Sequence, residues 1–258
     1  MAFGSETART LRELRQAREL VGGLPAALEP PDFAAAYAAQ DALVALSEGT
    51  RVGYKIGATN EDAQQLLGVS EPFFGQLLTS CVHASGATLS VGSARVGIEP
   101  EFAYTVAQDI LPAAMPYTGE SIAPFAAFVI PSIEVVWTPF RDWAAVGAPS
   151  LIAANAAQEA WIHGEPAPAG APEEIEPIHV RAYADGQLQA EGGAAAVLGH
   201  PLNALAWLAN TLLEQGKQLR GGDYVTTGVC TQLFFAEAGQ SVTADFGRLG
   251  VVSIDLAG

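Results

Sequence analysis

Apolar residues recur at helical spacing over residues 7–21, where Leu11, Leu14 and Val21 alternate with charged side chains, and this spacing predicts an amphipathic helix. Gly22-Gly23 should end it, and Pro25, Pro30 and Pro31 keep the next stretch irregular. Asp32 then reads as the N-cap of a second, Ala-rich helix running to about Ser47. At residue 51 the period changes. Val52, Tyr54 and Ile56 alternate with Gly53, Lys55 and Gly57, the period-two pattern of a short strand. A short helix is expected over 61–67, and Glu71-Pro-Phe-Phe-Gly75 reads as a turn into an apolar segment.

Strand-like runs follow at 87–89, 96–104 and 125–137, the last two separated by a Pro- and Gly-punctuated connection at 111–120. Residues 151–163 form an apolar segment leading to a turn at Gly164, and the Pro- and acid-rich stretch 165–177 reads as an exposed loop. Asp185-Gly186 marks a hairpin between 178–184 and 187–191. Pro201 opens a helix whose apolar face carries Leu202, Leu205, Leu208 and Leu212, with Gly216 closing it. Strands are expected again at 224–228, 232–235, 241–246 and 251–255. The pattern divides the chain into a helical N-terminal segment, 1–50, and a strand-rich domain, 51–258.

Candidate chemistry sits in the strands. Glu99 and Glu101 are two residues apart and project from one face. Two such acids on an apolar strand repel and resist burial unless a positive charge compensates them. A hard divalent cation with oxygen ligands is one answer, and a solvent-facing strand with two harmless acids is the other. Glu134 lies within the apolar run 128–137, flanked by Ile133 and Val135, and needs a partner if it faces inward. Lys55 stands between glycines that admit close approach, although a lone strand lysine commonly faces solvent.

Composition narrows the classes. With 258 residues, 50% hydrophobic and 16% charged, the chain has the makings of a well-buried globular protein. A net charge of −16 argues against nucleic acid or an anionic membrane as partner, yet a bound cation would still admit a small anionic substrate. Cys81 and Cys230 make neither a disulfide framework nor a CxxC metal pair. Residues 1–20 lack the apolar core of a secretory signal and no apolar run approaches about 18 residues, so a cytoplasmic location is expected. No GxGxxG, P-loop, GxSxG or HExxH motif occurs, and His83, His163, His179 and His200 are scattered singly.

Read together, several stretches resemble one family in its own order. They are Gly53-Tyr-Lys-Ile-Gly-Ala-Thr59, Glu71-Pro-Phe-Phe-Gly75, Gly97-Ile-Glu-Pro-Glu-Phe-Ala103 and Pro131-Ser-Ile-Glu-Val-Val136, then 193–202, 207–210, 221–228 and 242–253. The chain resembles the 2-keto-4-pentenoate hydratase / 2-oxo-3-hexenedioate decarboxylase family of the fumarylacetoacetate hydrolase superfamily. The resemblance implies an α+β fold, a mixed β-sandwich or roll with a helical N-terminal part, and a homo-oligomer. It implies that Glu99, Glu101 and Glu134 bind Mg²⁺ or Mn²⁺ and that Lys55 lies in the active site. The implied substrate is a small 2-oxo or 2-hydroxydienoic acid, chelating the cation through its carboxylate and adjacent oxygen.

Three positions depart from the hydratase pattern. Phe73 stands where hydratases carry an acid, Ala154 replaces another acid, and Val229 follows the Thr-Gly pair where a serine is common. A less polar pocket follows. Hydration leads among the expected activities, with decarboxylation through the same metal-held enolate, C–C hydrolysis of an acylpyruvate, and an inactive metal-binding homologue as the other readings.

Overall fold

The computed structural model describes residues 3–258, so the first two residues of the expected 1–50 segment lie outside the described part. The chain opens with helices α1 (Phe3–Ala17) and α2 (Phe33–Ala45), followed by β1 (Arg51–Gly57), α3 (Glu61–Leu67), β2 (Phe73–Leu78), β3 (Val82–Ala84) and β4 (Ala87–Ser90). The centre holds β5 (Val96–Val106), α4 (Gly119–Ile122), β6 (Ala126–Val136), α5 (Ala148–Ala153), β7 (Gln158–His163) and β8 (Ala167–Pro168). The last part comprises β9 (His179–Ala184), β10 (Gln187–Gly193), α6 (Pro201–Glu214), β11 (Tyr224–Val229), β12 (Phe234–Ala236), β13 (Ser241–Asp245) and β14 (Val251–Ala257).

Local signals account for many of these boundaries. The Asp32 side chain accepts from the Ala35 N–H, and Asn60 caps α3 in the same way through Ala63. Asp185 and Gly186 take φ of 50° and 76°, the pair of left-handed residues that a two-residue hairpin turn requires. Other expectations need correction. Helix α1 stops at Ala17 rather than near Gly22, because Arg18 turns left-handed (φ 52°) and Val21 instead bridges to Phe140. Phe73 to Gly75, expected in a turn, already belong to β2.

Two sheets form. The larger runs β2-β1-β11-β5-β6-β7-β3, with β12 and β8 attached to β5 and β6, and the smaller runs β10-β9-β13-β14-β4. Alternation along each strand separates two faces. Tyr54, Ile56, Phe74, Ile98, Phe102, Ile133 and Val135 meet Val180, Val242, Ile254 and Phe246 of the second layer and Leu205 and Leu208 of α6 in the main core. Each large side chain so buried contributes about 1.5–3 kcal/mol.

The opposite face is concave. Strands β2 and β3 are separated by only Thr79 to Cys81, yet stand at opposite ends of the hydrogen-bonding order. A connection that short obliges the sheet to curl until its edges approach, forming a roll. Leu77, Ala103, Ile130 and Trp161 fill part of its interior. Lys55, Glu99, Glu101 and Glu134 share that inner face by strand parity.

The helices close the open edge of β2. The Tyr37 hydroxyl accepts the Phe74 N–H, Gln40 donates to the Phe74 carbonyl, and Asn155 exchanges both bonds with the Gln76 backbone. An edge strand is thereby capped by side chains rather than left to pair with another chain.

Candidate active site and metal centre

Strands β1, β5 and β6 of the larger sheet supply the site. Glu99 on β5 stands directly opposite Glu134 on β6, while Glu101 stands opposite Ser132. One carboxylate oxygen from each of Glu99, Glu101 and Glu134 lies within 4.8 Å of the others. Glu101 and Glu134 are fully buried and Glu99 is half-buried. Lys55 enters from β1, with β11 and β5 intervening, yet its Nζ lies 3.2 Å from Glu134 Oε1. Curvature of the roll makes that reach possible. The lysine is 3% exposed, so the solvent-facing alternative does not describe it.

Charge is unbalanced here. Three carboxylates against one ammonium leave a formal −2, the charge a divalent cation cancels. Two like charges about 4 Å apart repel by about 4 kcal/mol at an effective dielectric constant near 20. Glu101 Oε2 accepts the Gly228 N–H at 3.1 Å and Glu134 Oε1 faces Lys55, but Glu101 Oε1 and Glu134 Oε2 are buried without a hydrogen bond. Orphaned, hard, anionic oxygens facing one point fit Mg²⁺, Mn²⁺ or Ca²⁺ and do not suit a soft metal.

The protonation equilibria express the same imbalance. Burial pushes the Glu134 carboxyl up to about 7, with Lys55 opposing and Glu99 adding to the rise. Burial, then repulsion from Glu134 and Glu99, holds Glu101 well above the ordinary range, and burial also raises Glu99 against the pull of Lys55. For Lys55, burial favours the neutral amine, but the carboxylates of Glu134, Glu99 and Glu101 outweigh it and raise its pKa. Without a cation the site retains protons.

The surroundings include residues that spacing had not singled out. A Cβ on Gly228 (φ 99°) would collide with the Thr59 hydroxyl, so this glycine is needed for the backbone amide to reach Glu101. Phe73 shares the inner face with Lys55 by register, its ring lying over Gly57 and packing with Ala58, Ile152 and Ala156. Ala154 is buried in a separate cluster with Leu11, Leu43 and Leu151. Asn155, Ala156 and Ala157 are consecutive left-handed residues (φ 58°, 53° and 60°) between α5 and β7. No glycine flags this turn, which is why residues 151–163 read as one apolar segment.

Known proteins resemble the chain over most of its length. No family model matches the chain. It is 32% identical over 254 residues to the 2-keto-4-pentenoate hydratase of Paraburkholderia phymatum, covering 95% of this chain and 94% of that protein. The 2-hydroxyhexa-2,4-dienoate hydratase of Comamonas testosteroni is 30% identical over 213 residues, with 81% and 79% covered. Among solved structures, the 4-oxalocrotonate decarboxylase from Pseudomonas putida G7, complexed with magnesium and adipate, superposes with a TM-score of 0.90 at 24% identity over 98% and 97% of the two chains. The fumarylpyruvate hydrolase from Pseudomonas aeruginosa, with Mn²⁺ and pyruvate, gives 0.62 at 17% identity over 81% and 90%. Both likenesses are of the overall fold. With a relative at 32% identity spanning nearly its whole length, the chain belongs to the 2-keto-4-pentenoate hydratase family.

Proposed function

We propose that the protein is a divalent-metal-dependent lyase acting on a small 2-oxo or 2-hydroxydienoic acid, in the first instance as a hydratase of aromatic-compound breakdown. The observation carrying this reading is the buried carboxylate triad beside Lys55, with its formal deficit of two positive charges. Similarity to hydratases over nearly the full chain supports the reaction class. Glu99, Glu101 and Glu134 would hold Mg²⁺, or Mn²⁺ in its place. When bound, the cation supplies Lewis-acid charge that stabilises negative charge on the 2-oxygen of the substrate.

The chain's own groups do the rest. The Lys55 ammonium, held against Glu134, sits where it offers a proton or a positive charge to the substrate's carboxylate or enolate. The Gly228 N–H fixes one oxygen of Glu101 and so orients the other. Phe73, on the same strand face as Lys55, packs with Ala58, Ile152 and Ala156 in an apolar wall that would exclude water from that side. That wall favours a second reading, decarboxylation of an unsaturated 2-oxo diacid, which needs no added water.

Residues 1–50 act in this reading as a helical buttress of the catalytic domain, 51–258. The protein is assigned to the cytoplasm as a homo-oligomer. Among the described residues no helix is long and apolar enough to cross a membrane.

The test offers Mg²⁺-loaded protein a 2-hydroxydienoate, an unsaturated 2-oxo diacid and an acylpyruvate, and follows product masses. Gain of water identifies the hydratase, loss of CO₂ the decarboxylase, and two fragments a C–C hydrolase. Turnover of none would refute the enzymatic reading. Glu99→Gln and Glu134→Gln are each expected to abolish metal-dependent turnover, and retained metal affinity in both would remove the triad from the site.

A further inference from the structure

Three left-handed residues in succession are unfavourable wherever a Cβ is present, and Ala156 and Ala157 have no side-chain polar group to compensate. Something must hold the turn in place. The Asn155 side chain does so by pairing with both backbone groups of one residue. Its Oδ1 accepts the Gln76 N–H at 2.7 Å, and its Nδ2 donates to the Gln76 carbonyl at 2.9 Å. All four atoms are buried. The clamp brings the turn down onto Gly75, where a Cβ would stand 2.7 Å from the Asn155 carbonyl oxygen and 3.1 Å from the Ala156 Cβ. The same imaginary Cβ would stand 3.1 Å from Lys55 Cγ, and Gly75 is the register partner of Lys55. The turn, the glycine and the lysine stem are therefore stacked in contact.

We propose that Asn155 is a positioning residue, clamping the left-handed turn 155–157 over Gly75 so that the stem of Lys55 is confined and its ammonium is aimed at Glu134. The inference rests on the assignment of Lys55 to the reaction made above. A purely structural alternative exists on the same strand edge. Tyr37 also bonds the β2 backbone, through the Phe74 amide, but Phe74 points into the main core and away from Lys55. Tyr37→Phe is thus a matched control that removes an edge hydrogen bond without touching the stack.

The experiment compares wild type, Asn155→Ala and Tyr37→Phe in the full chain with Mg²⁺. Two readouts are used: steady-state kinetics, and the rate at which an amine-acylating reagent modifies Lys55, measured by peptide mass against the denatured protein. Asn155→Ala should lower kcat about tenfold to a hundredfold with KM little changed, as expected for a small misplacement of a reacting group. It should also accelerate Lys55 modification severalfold while Mg²⁺ affinity stays within about twofold, the ligands being untouched. Tyr37→Phe should lower thermal stability and alter neither readout. Should Asn155→Ala fail to fold, Asn155→Ser keeps a neutral polar side chain, cannot pair with both Gln76 backbone groups at once, and should show the same pattern more weakly. Unchanged Lys55 modification in the folded Asn155 variant, or an equal loss of kcat in Tyr37→Phe, would overturn the proposal. If wild type turns over no substrate, the functional assignment fails, but the modification rates still decide whether Asn155 confines Lys55.

Discussion

Glu134 shows how burial and neighbouring charge together set the behaviour of one side chain. Its folded pKa of about 7 exceeds the ordinary 4.5, so the folded metal-free protein holds this proton more tightly than the unfolded chain. The sign follows directly: the contribution of this carboxyl to metal-free stability falls as pH rises from about 4.5 towards 7. The upward shift of Lys55 acts only in the alkaline range. Cation binding reverses the carboxyl trend, because it displaces the proton. Mg²⁺ affinity is therefore expected to rise by up to about tenfold per pH unit for each displaced proton below about 7, and then to level off. Calorimetric titrations between about pH 5.5 and 8 would measure the slope, and a flat profile would contradict the proton displacement. By the same logic Mg²⁺ at about a hundred times its Kd should stabilise the wild type by about 2.7 kcal/mol, visible as a higher Tm. Glu134→Gln should lose that increment, because an amide in place of the carboxylate removes one charged ligand of the cation.

At the scale of elements, the inner roll depends on close approach between strands. A Cβ on Gly53 would run into the backbone of Tyr224 on β11, the strand that pairs with β1 in parallel. Gly53→Ala should cost about 3 kcal/mol, towards the upper end for overpacking, measured by denaturant unfolding. A loss below about 0.5 kcal/mol would mean that β1 and β11 separate easily. Helix α1 is tied to the sheet by polar bonds as well as by packing. Arg15 donates to the carbonyls of Trp137 and Gln158 and pairs with Glu159, Arg18 also pairs with Glu159, and both guanidinium groups lie over the Trp137 ring. These bonds reach β7 and the residue just after β6, the strand that carries Glu134. Arg15→Ala should lower unfolding stability by about 2 kcal/mol, because it leaves two carbonyls without their charged donor. Most elements of this kind were readable from periodicity and caps. The α5–β7 junction was not, since its reversal is made by Asn and Ala in conformations usually left to glycine. Nor was the early end of α1, where Arg18 rather than Gly22 turns the chain.

In the whole molecule the helical segment and the strand-rich part share a core. Leu11, Leu24 and Leu43 pack with Phe140, Leu151, Ala153 and Ala154, while Tyr37 and Gln40 cap the edge of β2. A chain lacking residues 1–50 is expected to lose cooperative unfolding and to aggregate, because an apolar face and a strand edge become exposed together. A soluble 51–258 fragment with a sharp transition would show instead that the strand-rich part folds alone. The sequence by itself determined most of the strands, the hairpin, the helices opened by Asp32 and Pro201, and the pairing of Glu99 with Glu101 on one face, because periodicity, turn residues and capping are local properties. It also carried the family motifs in order. Only tertiary structure decided that Glu134 and Lys55 face inward, since strand alternation distinguishes two faces without saying which becomes the inside of a roll. It alone set Asn155 against Gly75 and beside Lys55, because that contact joins distant stretches of chain across a curled sheet, and curvature is a property of the closed assembly of strands rather than of any one of them.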